Sequence, residues 1–179
     1  MSEQDYLADS TDSLLGQEFL TWLWFRGETS PLGFTDANGR PFSLLLDQKV
    51  VVQGGEGDMR ETTSVTGGMT DGVHLPLREA RIGLLTGKKV TRALLLLEQD
   101  GINWQMTLKA DDFAPGAFRT PKVESDKDDQ EAVFLEKIFV IEQGLALLDT
   151  AYKVFLEVRL SPQWDQEVRN IGRWMTRQE

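Results

Sequence analysis

The sequence predicts an α+β fold, an antiparallel sheet of hairpins packed with helices and followed by a C-terminal helical region. Three observations carry this expectation. Asp100-Gly101 lies between two apolar-rich runs and supplies the positive φ angles of a two-residue type I′ turn, so 87–109 reads as a β-hairpin. Asn38-Gly39 marks a second hairpin by the same chemistry. Apolar residues at three- and four-residue spacing, the mark of helices, gather at the two ends of the chain and in one short segment before the central hairpin. A chain of 179 residues, 40% of them hydrophobic, can bury a proper core without a disulfide or metal staple. The expected organisation is an acidic, disordered lead-in over 1–12, an α+β domain over 13–123 and a helical region over 124–179, the last two forming one structural unit.

Taken in order, the first element is a helix capped by Ser13, with Leu15, Phe19 and Leu23 on one stripe and Leu20 and Trp24 beside it. Trp22 and Phe25 widen that stripe, which implies burial on two sides or aromatics offered to a partner; burial is the reading favoured. A short strand near Phe34 pairs with Phe42–Leu46, a further strand covers Val50–Val52, and a polar strand falls around Glu61–Thr66. The Gly-rich stretch Gly67–Val73 is expected to be mobile. Pro76 opens a helix carrying Leu77, Arg81, Leu84 and Leu85, and Gly87 caps its C-terminus.

In the hairpin that follows, the turn fixes the register. One face pairs Gln99 with Ile102, Leu97 with Trp104, Leu95 with Met106 and Ala93 with Leu108, and is core. The other pairs Glu98 with Asn103, Leu96 with Gln105, Leu94 with Thr107 and Arg92 with Lys109, with Lys88 two alternations before Arg92 on the same side. Beyond a Pro-, Gly- and Asp-rich loop at Asp111–Val123, a long helical region runs from about Asp128 to Leu160, with Gly144 as a site for a kink. Ser161-Pro162 begins a last helix whose Trp164, Val168, Ile171 and Met175 share one side, a face that needs a groove or a second chain.

Composition removes several function classes. With no cysteine, disulfide frameworks, thiol catalysis and thiolate zinc sites are excluded. His74 is the single histidine and sits in a Gly-rich, Pro-flanked loop, a poor setting for a charge relay. No apolar run approaches membrane-spanning length, and the acidic start Met1-Ser2-Glu3-Gln4-Asp5 is unlike a signal peptide, so a cytoplasmic protein is expected. The net charge of −10 argues against a uniformly basic nucleic-acid binder, but the charge is segregated. Arg78, Arg81, Lys88, Lys89 and Arg92 cluster against Glu79 alone, and an acidic run follows at 124–136.

Enzyme signatures fail on inspection. Gly87-Lys88 is no phosphate-binding loop, because Ile82 stands at its first glycine and Lys89 where a magnesium-directed hydroxyl belongs. The glycines at 54, 55 and 57 precede no helix start that receives a phosphate. Asp36 with Asp47-Gln48-Lys49 imitates a nuclease metal site, but Asp36 would face Pro41, leaving the two carboxylates roughly 20 Å apart along the strand. Asp128 and Asp129 suit a helix N-terminus. Neither an enzymatic activity nor a cofactor nor a small-molecule substrate is expected.

Two like charges placed opposite each other, Arg92 and Lys109, call for an anion. It is either Asp111 and Asp112 from the same chain or an external phosphate. Phe19-Leu20-Thr21-Trp22-Leu23, the stretch Arg81–Leu97 with Gly87-Lys88 and Val90-Thr91, Trp104, and Phe139–Leu148 together resemble the C-terminal half of the bacterial recombination-associated protein RdgC family. The resemblance runs through most of the chain and rests on the order of these segments. It implies an α+β protein of the nucleoid that binds double-stranded DNA without sequence preference, assembles as ring-shaped homodimers around it and limits access of the RecA recombinase. On this sequence the implied DNA contacts are Lys88, Arg92 and Lys109, supported by Lys89, Arg78 and Arg81. The alternative is a protein-interaction module of the same fold that has lost encirclement, working through apolar faces such as that of Trp164 and Ile171.

Overall fold

A computed structural model describes residues 7–29, 33–54, 63–66, 69–70, 73–74 and 78–177; for several of these, among them Asp47, His74 and Arg78, only the backbone is described. The elements are α1 (Gly16–Thr29), β1 (Gly33–Thr35), β2 (Pro41–Gln53), β3 (Thr63–Thr66), β4 (Met69–Thr70), β5 (Val73–His74), α2 (Arg78–Leu85), β6 (Lys89–Gln99), β7 (Ile102–Lys109), β8 (Pro115–Arg119), α3 (Gln130–Arg159) and α4 (Trp164–Thr176). The main sheet runs β1-β2-β6-β7-β8 with β3 also paired to β2, and every pairing is antiparallel. The class is α+β, as the hairpin signals imply.

The central hairpin β6–β7 has the register its turn dictates. Asp100 and Gly101 take φ of 53° and 78°, and Arg92 pairs with Lys109, Leu95 with Met106 and Leu97 with Trp104. Its inner face, Ala93, Leu95, Leu97, Trp104, Met106 and Leu108, is buried. Asn38-Gly39 turns the first hairpin one residue differently from the simplest reading: Thr35 faces Pro41 and Asp36 faces Arg40. The cause is the Asp36 carboxylate, which accepts from the backbone N–H groups of Asn38 and Arg40, the Arg40 guanidinium and the Gln99 amide.

Three further departures have local causes. Phe42–Leu46 and Val50–Val52 form one strand, β2, because an irregularity between Leu46 and Val50 absorbs the intervening residues without ending the pairing with β6. The loop expected over Asp111–Val123 contains β8, which uses the free edge of β7. Within the stretch expected to be mobile, Met69 pairs with His74 and Thr70 with Val73.

The helices cover the inner face of the sheet and share one hydrophobic core with it. In α1, Phe19, Leu20, Trp22, Leu23, Trp24 and Phe25 are all buried, so the wide apolar surface is wrapped. Its cap is Asp12 rather than Ser13: the carboxylate accepts from the N–H groups of Gly16 and Gln17, and the helix starts at Gly16. Gly87 (φ 88°) closes α2, with Gly87 N–H donating to Leu84 and Lys88 N–H to Gly83, the paired bonds of a glycine C-cap. Asp129 caps α3 through Ala132. In α4 the groove for Trp164, Val168, Ile171 and Met175 is the domain itself, since all four are buried. Ser161 serves the turn before that helix, accepting from Gln163 N–H, and the helix begins at Trp164.

Gly144 is not a kink, for α3 is one continuous helix of 30 residues. It is a point of close approach. The Trp104 indole N–H donates to the Val140 carbonyl at 2.8 Å, and a Cβ on Gly144 would lie 2.8 Å from Trp104 Cδ1 and 2.9 Å from Phe118 Cζ. Only glycine lets the helix sit this near β7 and β8.

Gly144→Ala therefore has two opposed effects, about 1 kcal/mol gained in helix propensity and about 1–3 kcal/mol lost to overpacking. The obstructing atoms belong to packed rings, so the loss wins. Urea unfolding should show a lower midpoint for Gly144→Ala and a lower one still for Gly144→Val; a more stable alanine variant would contradict the close approach.

Asp36 generates a pH prediction. Hydrogen bonds from the Arg40 backbone N–H, Gln99, Asn38 and the Arg40 side chain hold its carboxyl below the usual value of 3.8. A folded-state pKa below the unfolded one means stability that is present above the unfolded value and lost as pH falls through the folded one. The difference in thermal midpoint between the protein and Asp36→Asn should be full above about pH 4 and shrink steadily below it. A gap constant from pH 6 to pH 2 would refute this account of the turn.

Candidate nucleic-acid interface

The helices take one face of the sheet, and the other mixes polar groups with half-buried Val51, Leu94 and Leu96. Strand alternation decides which residues it presents. On β2, Val50 and Val52 are fully buried, so Lys49, Val51 and Gln53 point outward; on β6 and β7, Arg92 and Lys109 oppose each other on that same outer side. Val51 faces Arg92 across β2 and β6, which puts Lys49 diagonal to Arg92. Lys49, Arg92 and Lys109 thus converge from three adjacent strands. They line a concavity of about 980 Å³ together with Thr91, Thr107, Gln17, Asp9 and Asp111. Asp9 reaches its wall because the segment before α1 crosses the end of the sheet, held there by hydrogen bonds between Asp9 and Gln17.

A β-bulge reassigns the neighbouring lysines. Val51 pairs with Arg92 but Val52 pairs with Val90, so Thr91 is an extra residue on β6 and alternation shifts by one below it. Lys88 consequently leaves the face of Arg92, and its aliphatic stem approaches Gly83 of α2 on the helix side. Lys89, opposite Gln53, takes the outward register instead, yet it is only 5% exposed and engaged in the structure. The expectation that Lys88 shares a surface with Arg92 is corrected accordingly.

Arg81 is also withdrawn from the surface. It is 5% exposed, stacks over Trp174 at 5.6 Å and reaches the Glu28 carboxylate at 3.4 Å. Glu28 accepts from the indole N–H groups of Trp24 and Trp174 as well, so this ion pair ties α1, α2 and α4 together. Arg78 opens α2, and the direction of its side chain lies outside the described residues.

The choice of counter-anion narrows. The Asp112 carboxylate accepts from the Ala114 N–H at 2.8 Å and serves its own turn. Asp111 lines the concavity, but no ion pair within 4.0 Å joins it to Lys49, Arg92 or Lys109 among the described residues. Among the described residues, then, no carboxylate is in contact with the three cations, of which Lys49 and Arg92 are exposed and Lys109 is half-buried. Lys49 is the residue that sequence reasoning passed over, having been weighed only as part of a nuclease pattern. The signal was available in its parity with Val50 and Val52.

Of the nuclease-like pattern, Asp36 is committed to its turn, and among the described residues no group of three His, Asp or Glu is placed to hold an ion. His74, Gly55, Gly57 and the Asp47 side chain lie outside the described residues. No helix among the described residues is long and apolar enough to cross a membrane. No protein-family model, no curated protein and no solved structure matches the chain.

Proposed function

We propose that the outer face of the sheet binds double-stranded DNA through its phosphates, without reading sequence, and that occupancy of the duplex limits access of the RecA recombinase, as the resemblance to the RdgC family implies. The observation that carries this reading is the convergence of Lys49, Arg92 and Lys109 from three neighbouring strands with no acidic partner in contact among the described residues. Three strands spaced about 4.8 Å apart spread these charges over roughly 10 Å. Each backbone phosphate of DNA carries one charge, so three cations can contact up to about three phosphates. Thr107 and Gln105 flank it on the same face of β7 and suit neutral hydrogen bonds to backbone oxygens. No side chain of the cluster is placed on an element that enters a groove, which fits contact with phosphates rather than base edges.

Fluorescence anisotropy with two unrelated duplexes tests the reading. Affinities should agree between the duplexes and fall with salt at a logarithmic slope of about −2.7 for three phosphate contacts. Combined reversal by Lys49→Glu, Arg92→Glu and Lys109→Glu should abolish binding, whereas Lys88→Glu, on the helix side, should leave it within about twofold. Absence of binding at about 50 mM salt and micromolar protein would sink the proposal, and so would equal losses from Lys88→Glu and Arg92→Glu.

A further inference from the structure

One apolar stripe of α3 is covered by the chain toward its C-terminal end and left open toward its N-terminal end. Half-buried Tyr152 closes the covered part: its hydroxyl donates to the Leu14 carbonyl at 2.6 Å, and its ring lies against those of Phe19 and Phe113. Back along the helix, Leu148, Leu145, Ile141, Ile138 and Phe134 hold the same side at alternating spacings of four and three, and exposure reaches 62% at Phe134. At 1.5 Å per residue the open seam is about 21 Å long. It lies about 120° round from the face that buries Val140, Gly144 and Leu147, so a neighbour can reach it without displacing the sheet. Leu135 and Phe139, each 58% exposed, stand further round on the same open side.

We propose that this seam is the docking site for a basic amphipathic α-helix of another protein. The spacing selects a helix, because side chains four and three residues apart on one helix are met by apolar anchors at the same spacing on a second. The surrounding charge selects its sign. From Glu124 to Asp149 the chain carries eight Asp and Glu against two Lys. Glu131 and Glu142 run along one edge of the seam, between it and Leu135 and Phe139, and neither makes an ion pair within 4.0 Å among the described residues. Lysine or arginine beside the apolar side of an incoming helix meets both carboxylates. A second copy of this chain is the poorer occupant, since it brings the same acidic surroundings and, among the described residues, Lys137 alone beside its seam. An anionic lipid surface is repelled by the same carboxylates. Because α3 is clamped to the sheet through Trp104, the seam is presented as formed helix and docking orders only the partner. The seam sits on the helix side of the sheet, away from Lys49, Arg92 and Lys109, and stays open whether or not the outer face is occupied. One helix laid along four turns of another buries less than about 800 Å² per partner, so a micromolar dissociation constant is expected.

The probe is a labelled synthetic helix of about 18 residues with leucine at heptad positions a and d and lysine elsewhere, titrated with the whole chain by fluorescence anisotropy at about 150 mM salt. It should bind with a dissociation constant of about 1–50 µM, and its lysine-to-glutamate counterpart and a scrambled peptide of the same composition should not bind. Ile138→Glu with Ile141→Glu should weaken binding at least about tenfold, and Phe134→Glu, at the most exposed of these positions and so the least able to disturb the fold, severalfold. Simple attraction of the peptide to a chain of net charge −10 predicts the opposite sign, because these substitutions add negative charge. Glu131→Gln with Glu142→Gln should weaken binding severalfold with the thermal midpoint unchanged. Glutamate variants of the seam that hold the lysine peptide as tightly as the unaltered chain does would overturn the proposal, and so would equal binding of the glutamate peptide. Reversible self-association below about 100 µM that Ile138→Glu with Ile141→Glu dissolves would give the seam to a second copy and overturn it as well.

Discussion

The contact on which the rest of the molecule depends is the clamp between β7 and the middle of α3. A buried indole N–H left without an acceptor costs free energy, and Trp104 avoids that cost by donating to the Val140 carbonyl inside a helix; the bond is possible because Gly144 lets the helix axis come within ring contact of the sheet. From this fixed point Ala151 and Phe155 continue into the core toward Phe19 and Trp22, whose rings lie 5.4 and 5.5 Å from that of Phe155. In the other direction the helix runs out past its support. One clamp thus gives α3 two halves of different character, a buried C-terminal half that completes the core and an N-terminal half that keeps apolar side chains in water.

The same clamp decides the fate of the sheet. With the helices drawn to the inner face, the segment before α1 is what the described residues place against the outer face of β2, β6 and β7, where exposed Lys49 and Arg92 keep their hydration. Arg92 and Lys109 are held opposite each other by a register that the apolar inner face enforces, since a one-residue slip would turn Leu95, Leu97, Trp104 and Met106 into water. The repulsion between the two cations is thereby fixed by core burial, which is far the stronger term: each inner side chain is worth about 1.5–3 kcal/mol, against well under about 1 kcal/mol for an exposed like-charge pair. An arrangement that no local preference favours persists because it is tied to one that is strongly favoured.

How much of this was legible in the sequence follows from how local each determinant is. The β6–β7 register was legible in full, because Asp100-Gly101 fixes it and the alternation on both sides agrees. The bulge at Thr91 was not: an extra residue in a strand leaves Thr91 and Arg92 looking like any polar neighbours, and it is revealed only by pairing with β2, a strand some forty residues away. That single residue moves Lys88 off the candidate surface. Arg81 was misplaced for a related reason, since its partners Glu28 and Trp174 come from α1 and α4. The apolar side of α4 was legible as a face in need of a groove, but periodicity says nothing about whose groove, and the domain supplied it. Lys49 was hidden by a break expected between Phe42–Leu46 and Val50–Val52; once β2 is continuous, its direction follows from Val50.

The formal charge of −10 is weaker evidence against anion binding than it first looks, because distance and layering matter more than the sum. The acidic run at 124–136 is spent at the N-terminus of α3, where Asp129 caps the helix and Glu136 accepts from the backbone N–H groups of Glu124 and Ser125. That helix packs on the inner side of the sheet. Lys49, Arg92 and Lys109 point the other way, so the acidic run lies on the far side of the sheet from them. A polyanion approaching the outer face therefore meets the local cations at close range and the remote carboxylates at a greater distance, where their repulsion is weaker. Among the described residues, the carboxylates on the walls of the concavity are Asp9 and Asp111, so these two weigh more than the acidic run in the electrostatic penalty that an incoming phosphate must overcome.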